Sequence, residues 1–449
     1  RQCRESRRRR KASGVGGGSR GGPCRVGRAA AGLRRRHAGR RARMEIDLLD
    51  PRSFAKGHPF DQYAWLRSHD PCHWHEEPGG RGFWAVTRQA DVRRIGMDPA
   101  TFSSEPTIMI ADPDPSHASV DPDHRMMLMM DPPLHTAYRR LISREFTQGP
   151  AMEMAPWIRD FAREIVDAAI EASDGGREPI DFVSAVAGEM PSYVIAKLMG
   201  LPLEDGRRLY ELTEIIHTAP EVLPEGAQAE AIAKMFEYGA GVIAEKRSRP
   251  TDDLASRLLH AEVDGRRLDD QDFLLFFMLL VDAGGDTTRN LVGSGLLALL
   301  EHPEAFAWLL EDLDGRLATT RDELLRWCSP VVYMRRTATR DAEIAGRAVR
   351  AGDKVVMYYG AANRDAQVFD APDRFDPTRR PNRHVAFGGG THICLGQHVA
   401  RVEIDELLRE TFTRLSDFEL AGEPEWLASN FISGPKSLPL RFGVREGAA

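Results

Sequence analysis

The chain has 449 residues, 42% of them hydrophobic and 29% charged, with a formal net charge of −6 at pH 7. That apolar content can fill a large core, and the length allows several domains or one large α-rich one. The acidic balance argues against a nucleic-acid partner, and the most apolar run, Phe273 to Val281, is too short to cross a bilayer.

Residues 1–43 carry fifteen Arg, one Lys and one acid, a net charge of about +15 against about −21 for the rest. This segment has no aromatic residue and no apolar stretch of signal-peptide type. It reads as translated upstream or expression-derived sequence ahead of a start at Met44; a basic disordered tail and an Arg-rich transit peptide are the alternatives. Residues 44–449 then form the working domain. A strand is expected at Phe83–Thr87 and a helix from Arg88 to Met97. The Pro-, Asp- and Met-rich stretch 104–130 reads as a mobile loop with short helices. Asp131-Pro-Pro-Leu-His135 starts a helix with Asp as cap and Pro in the first turn. Helical periodicity dominates from Pro133 to Trp327. Short strands return at Ala342–Ile344 and Lys354–Tyr358, an irregular stretch covers Asn363 to Asn382, and a long helix follows Cys394 before a β-rich tail ending near Phe442. The expected fold class is mainly α with small β-sheets.

Of the five cysteines, Cys394 has the most distinctive setting, Phe387-Gly-Gly-Gly-Thr-His-Ile-Cys394-Leu-Gly396, directly ahead of an amphipathic helix. No C-x-x-C spacing occurs, which argues against zinc, dithiol and covalently attached haem sites. A cysteine at a helix N-terminus meets free N–H groups and the positive end of the helix dipole, both favouring a thiolate. Such a thiolate suits the axial position of haem iron, where it pushes electron density toward bound O₂. Gly390 permits a backbone conformation closed to other residues, and Gly396 permits close approach of a flat ligand. A lone cysteine in a Gly-rich turn is more often simply buried. The pattern F-x-x-G-x-H-x-C-x-G, however, resembles the haem-binding signature of the cytochrome P-450 superfamily of haem-thiolate monooxygenases.

Further segments fit that resemblance in family order. Two glycines inside the apolar helix of Ala283-Gly-Gly-Asp286-Thr287 cost roughly 1 kcal/mol each, which a helix tolerates more readily where a local opening is needed. Thr287 can bond back to the carbonyl of residue 283. By resemblance to A-G-x-[D/E]-T, Asp286 and Thr287 deliver protons to the distal oxygen. Glu323 and Arg326 share a helix face at i, i+3 and, with Arg374, resemble the family's E-x-x-R and P-x-R-F, implying a buried structural charge network. His135 and Arg139 lie at i, i+4, a spacing that suits a carboxylate pair. With Arg336 and His384 they match the family's propionate-binding positions.

The resemblance implies one haem b held through Cys394, and a single haem-binding domain of the cytochrome P-450 fold. Cofactor-binding residues are then His135, Arg139, Arg336, His384, Phe387, Gly390, Cys394 and Gly396. The substrate pocket is expected from Leu279, Asp282, Ala283, Val332, Phe431 and Ile432. It is mostly apolar, so a hydrophobic molecule held by shape is implied. The tail from Ser429 to Leu440 and the run Met130–Arg139 resemble members that hydroxylate terpenoid alcohols, with sterol-side-chain oxidisers next. Asp282 turns either to polar neighbours or to a hydroxyl or amine of the substrate. The chain shows no dinucleotide fingerprint, so its electrons come from elsewhere; the resemblance implies NAD(P)H as their source, through a ferredoxin and its reductase. That ferredoxin could dock on Arg140, Arg144, Arg335 and Arg401. A soluble cytoplasmic monomer is expected. A peroxide-driven or coupling enzyme and a non-catalytic haem sensor are the competing readings.

Overall fold

The computed structural model describes residues 44–113 and 124–445. The expectation for 1–43, and the tip of the 104–130 loop, lie outside the described residues. Thirteen α-helices occur among the described residues: α1 (Phe60–His69), α2 (Gln89–Met97), α3 (Leu134–Ile142), α4 (Gln148–Ala172), α5 (Glu189–Met199), α6 (Leu203–His217), α7 (Ala227–Ser248), α8 (Leu254–Leu259), α9 (Asp270–Glu301), α10 (Pro303–Glu311), α11 (Leu313–Cys328), α12 (Tyr359–Ala362) and α13 (Gln397–Arg414). The main sheet orders Cys72–His75, Phe83–Val86, Lys354–Tyr358, Tyr333–Ala338 and Phe102–Ser103. The fold is therefore mainly α with small sheets, as the periodicity predicts.

Helix α9 runs through the centre of the core. Its start is fixed by a capping box in which Asp269 and Asp272 each accept the other's backbone N–H. Apolar residues surround most of its length, and α5, α6, α7, α11 and α13 all pack on it. The expected local opening at the two glycines does not occur: α9 is continuous from Asp270 to Glu301. Gly284 serves packing instead, since a Cβ there would lie 2.5 Å from Cδ1 of Ile195 on α5. Helix α13 lies along α4 and buries Val399, Val402, Leu407 and Phe412, which anchors the segment that follows Cys394.

One cap differs from the sequence reading. Asp131 does not cap α3, whose N-cap is Pro133. Its carboxylate accepts from Ser103 Oγ and from Ser104 N (2.9 Å), fastening the edge strand beside α3. The helix starts two residues later than an Asp131 cap needs.

Candidate active site

Cys394 closes a tight turn. Its N–H donates to Phe387 O (2.9 Å), and Gly388 N–H to Val385 O (2.8 Å). Gly390 has φ +69°, and a Cβ on it would sit 1.8 Å from the carbonyl oxygen of Gly96 on α2. Only glycine fits there, for conformation and for space. Gly396 differs: a Cβ would meet no protein atom within 4 Å, so packing against the protein does not require glycine there. Cys394 is half-buried ahead of α13. Burial pushes its thiol up, more than the N–H groups of Gly396 and Gln397 and the guanidinium groups of Arg139 and Arg401 pull it down. The helix terminus therefore does not by itself bring the thiol down, contrary to the sequence expectation.

Helix α3 rests on this turn. Arg139 Nη2 donates to Ile393 O (2.7 Å), and the His135 ring lies 4.0 Å from that of His392. Ser104 Oγ lies 3.0 Å from His392 Nε2. His135 is buried, yet its Nδ1 has no hydrogen-bond partner. Arg336 is buried and donates to the carbonyl of Arg335 (2.8 Å). None of His135, Arg139 and Arg336 forms an ion pair with a carboxylate among the described residues. Burial, with positive neighbours, holds His135 and His384 at about 4 and His392 at about 2, so these rings are neutral and only the arginines are cationic. Neutral rings still donate one N–H each. Phe387 is covered by the Arg401 guanidinium at 4.5 Å.

On the distal helix, Asp286 and Thr287 face different ways. Thr287 Oγ1 donates to Ala283 O (3.0 Å), the back-bond the spacing predicts. Between Asp272 and Leu300, Ala283 is the one residue of α9 that is exposed, and Thr287 follows it by one turn. Ala283 and Thr287 thus mark the stretch where this largely buried, unbroken helix is least covered by protein atoms. Asp286 is buried and bonds to Nδ1 of His217, the last residue of α6. The other ring nitrogen, Nε2, lies 3.1 Å from Asp282 Oδ1. Asp282 therefore turns to a protein partner. Phe431 joins this group, 5.9 Å from the His217 ring and 5.2 Å from that of Tyr333. Leu279, Val332 and Ile432 are covered by protein atoms, which leaves Asp282, Ala283 and Phe431 as the partly open members of the predicted pocket.

The charge network holds with one correction. Arg326 donates Nε and Nη2 to the two Glu323 oxygens (2.8 and 2.7 Å), both residues being fully buried. Arg326 also binds the carbonyls of Asn363, Pro372 and Arg374, while Asp376 N–H and Asn382 Nδ2 complete Glu323. The Arg374 side chain is not the third member. It is 70% exposed and pairs with Asp376, contributing only its backbone oxygen. Arg379, 10% exposed, lies 3.4 Å from Glu323 and takes that place. Arg335, expected on the surface, is wholly buried and bonds to Asp112 (2.8 Å).

Comparison with known proteins decides the family. A cytochrome P450 family model matches residues 55–426. The chain belongs to the cytochrome P450 family. Its relatives include a methyl-branched lipid omega-hydroxylase of Mycobacterium tuberculosis, 39% identical over 82% of this chain and 86% of that protein. A steroid C26-monooxygenase of Mycolicibacterium smegmatis is 34% identical over 87% and 92%. A Mycobacterium marinum cytochrome P450 solved in complex with pseudoionone superposes with a TM-score of 0.82 at 36% identity, covering 90% of this chain and all of that one. The protein is thus a P450 monooxygenase with haem b as its cofactor. The residues fit that group: a half-buried cysteine, an unpartnered His135 nitrogen beside two arginines without carboxylates, and glycine at Gly396 where packing does not require it.

Sequence reasoning did not find His217 or Arg379 as site members, and used His392 only as a position of the cysteine signature without giving it a role. Nothing local marks His217, which closes an ordinary helix and meets its partners 65 and 69 residues away.

Proposed function

We propose that this P450 inserts one oxygen atom from O₂ into a hydrophobic small molecule of lipid, steroid or terpenoid type, with electrons from NAD(P)H through a ferredoxin and its reductase. The observation that carries the reading is the setting of Cys394, in a turn that only glycine at 390 permits and against which α3 brings Arg139 and His135. Cys394 is the proposed iron ligand. His135, Arg139, Arg336 and His384 hold the propionates, as cationic or N–H donors to carboxylates. Phe387 and Gly396, which flank the cysteine turn, would help to hold the haem. Haem bound there supplies O₂ activation and oxygen-atom transfer.

The chain's own groups do the rest. Ala283 and Thr287 border the space on α9, where the Thr287 hydroxyl is held by the Ala283 carbonyl and can orient a water. Asp286 is the proposed proton donor, kept dry by burial. Phe431 and Ala283 present apolar surface to the substrate. Asp282 is engaged by His217, so its charge is balanced before any substrate arrives and a hydrocarbon meets no bare carboxylate. The relatives named for methyl-branched lipid and steroid oxidation support a substrate of that kind. A monomer is part of this proposal; no helix among the described residues is long and apolar enough to cross a membrane.

The test is the CO-difference spectrum of the reduced protein, alone and as Cys394→Ala. A strongly red-shifted band lost in the variant, together with ferredoxin-dependent product from lipid, steroid or terpenoid substrates, supports the reading. A band indifferent to Cys394 overturns it.

A further inference from the structure

His217 joins two carboxylates that lie one turn apart on α9. Nε2 is 3.1 Å from Asp282 Oδ1 and Nδ1 bonds to Asp286 Oδ2. The Nδ1 contact is a hydrogen bond, whereas the Nε2 contact is an ion-pair distance that leaves Asp282 Oδ1 without a hydrogen-bond partner. A neutral imidazole has no charge to offer either carboxylate, and the imidazolium presents an N–H to each. The ring is 9% exposed and stands at the C-terminus of α6, where the helix dipole also favours a cation. The charged groups around it come from several elements. Helix α9 supplies Asp282, Asp286 and Arg289, whose Nη1 is 3.9 Å from Asp286 Oδ1. Helix α6 supplies Glu214, 3.1 Å from Arg289 Nη2. The tail strand supplies Lys436, 3.7 Å from Glu214, and Asp181 lies in the neighbouring strand Ile180–Asp181. Arg289 is thus shared between Glu214 and Asp286, and His217 is the group bonded directly to Asp286. Asp286 Oδ1 has no hydrogen-bond partner and meets only the Arg289 guanidinium at 3.9 Å, so one oxygen of the buried acid is hydrogen-bonded to His217 and the other is not hydrogen-bonded.

We propose that His217 is the positioning residue that loads Asp286 with a proton, and that Asp282 keeps the ring charged between turnovers. The inference rests on the reading of Asp286 as the acid of the distal helix. In the loading step the His217 Nδ1–H bond breaks and an Oδ2–H bond forms on Asp286. No electron moves, and the ring keeps Nε2–H toward Asp282. Once Asp286 has passed its proton on, Nδ1 regains a proton from a hydronium ion, which becomes water, and the ring is again cationic between Asp282 and Asp286. Because α6 ends at His217, the same bridge fastens the end of α6 to α9.

The two carboxylates hold the His217 ring well above the ordinary histidine range against the opposing effect of burial. The sign follows from a raised folded-state value. The bridge is fully made below about pH 6.5, the ordinary histidine value, and is lost as pH rises through the raised one. Proton loading weakens over the same range.

The experiment is carried out on the haem-loaded protein. First, histidine-selective NMR of the diamagnetic reduced CO complex follows the His217 ring through a pH titration, in the wild type and in Asp282→Asn. A wild-type midpoint well above 6.5 that falls in Asp282→Asn supports the bridge; a midpoint at or below 6.5 overturns it. Second, product formed per NAD(P)H consumed is measured against pH. His217→Gln, which keeps a donor but cannot carry the proton, is expected to lower the ratio by about 10-fold or more and to lose the alkaline limb. Substrate-induced spectral shifts should persist in it. Unchanged coupling and an unchanged pH profile in His217→Gln would reduce His217 to a structural staple and defeat the proposal. If His217→Gln does not fold, Asp282→Asn carries the same test, since it leaves Asp286 and the ring in place and should move the alkaline limb to lower pH. A wild type without a thiolate-type CO band would strike the monooxygenase reading instead; the ring titration is read independently of turnover.

Discussion

The Arg326–Glu323 pair shows how much one buried charge depends on its surroundings. Each ion is fully buried, and each has its remaining valences met by backbone or side-chain groups. Removing one member leaves the other uncompensated, at about 3–5 kcal/mol. The periphery of the network separates two arginines that look alike in sequence. Arg379→Ala removes a nearly buried guanidinium beside Glu323 and should cost about 1–2 kcal/mol in denaturant unfolding. Arg374→Ala should stay within about 0.5 kcal/mol, because the exposed side chain contributes little and its backbone oxygen remains. The reverse order would place the third member back at Arg374. From sequence, E-x-x-R was legible because i, i+3 fixes a shared face. The choice between Arg374 and Arg379 was not, because both follow Pro372 in an irregular segment whose path has no period.

At the scale of elements, the cysteine turn is held by contact between segments far apart in sequence. The α2 carbonyl at Gly96 occupies the place where a side chain on residue 390 would sit, and α3 covers the turn through Arg139. Gly390→Ala meets left-handed strain of about 1–2 kcal/mol as well as a backbone clash that no rotamer relieves. The expected outcome is a largely haem-free protein, read as the ratio of Soret to protein absorbance. Full haem loading in that variant would mean that the turn and α2 are not as closely packed as this. The glycine pattern announced the turn. Its clash partner could not be read from the chain, and neither could the packing role of Gly284, where the sequence suggests a helix opening and the structure has an unbroken helix against Ile195. The apolar pattern of α9 is satisfied by burial on nearly every side, and that packing outweighs the glycine cost.

For the whole molecule, surface charge bears on electron supply. Arg140 and Arg144 are exposed at the end of α3 and just beyond it, while Arg335 is enclosed by Asp112 and the carbonyls of Met109 and Ile110. A docking patch for an acidic ferredoxin can therefore use the first two and not the third. Reversing both, as Arg140→Glu with Arg144→Glu, should slow reduction by an acidic ferredoxin about 10-fold at low salt, with the gap narrowing as ionic strength rises. Reduction by dithionite should be unchanged. Equal rates for wild type and variant with ferredoxin would move the docking face elsewhere.

What the sequence by itself determined was local. The helix and strand periods gave a mainly α fold. The spacings around Cys394, Asp286–Thr287, Glu323–Arg326 and His135–Arg139 named a family and its cofactor, because each motif works within one turn or one helix face. Tertiary packing alone decided which arginine closes the Glu323 network and that Arg335 lies inside. It also decided that burial lowers the His135 and His384 rings and raises the Cys394 thiol. The setting of Asp282 belongs to the same class. Its partner His217 comes from another helix, and only the packing of α6 on α9 brings an imidazolium between two carboxylates.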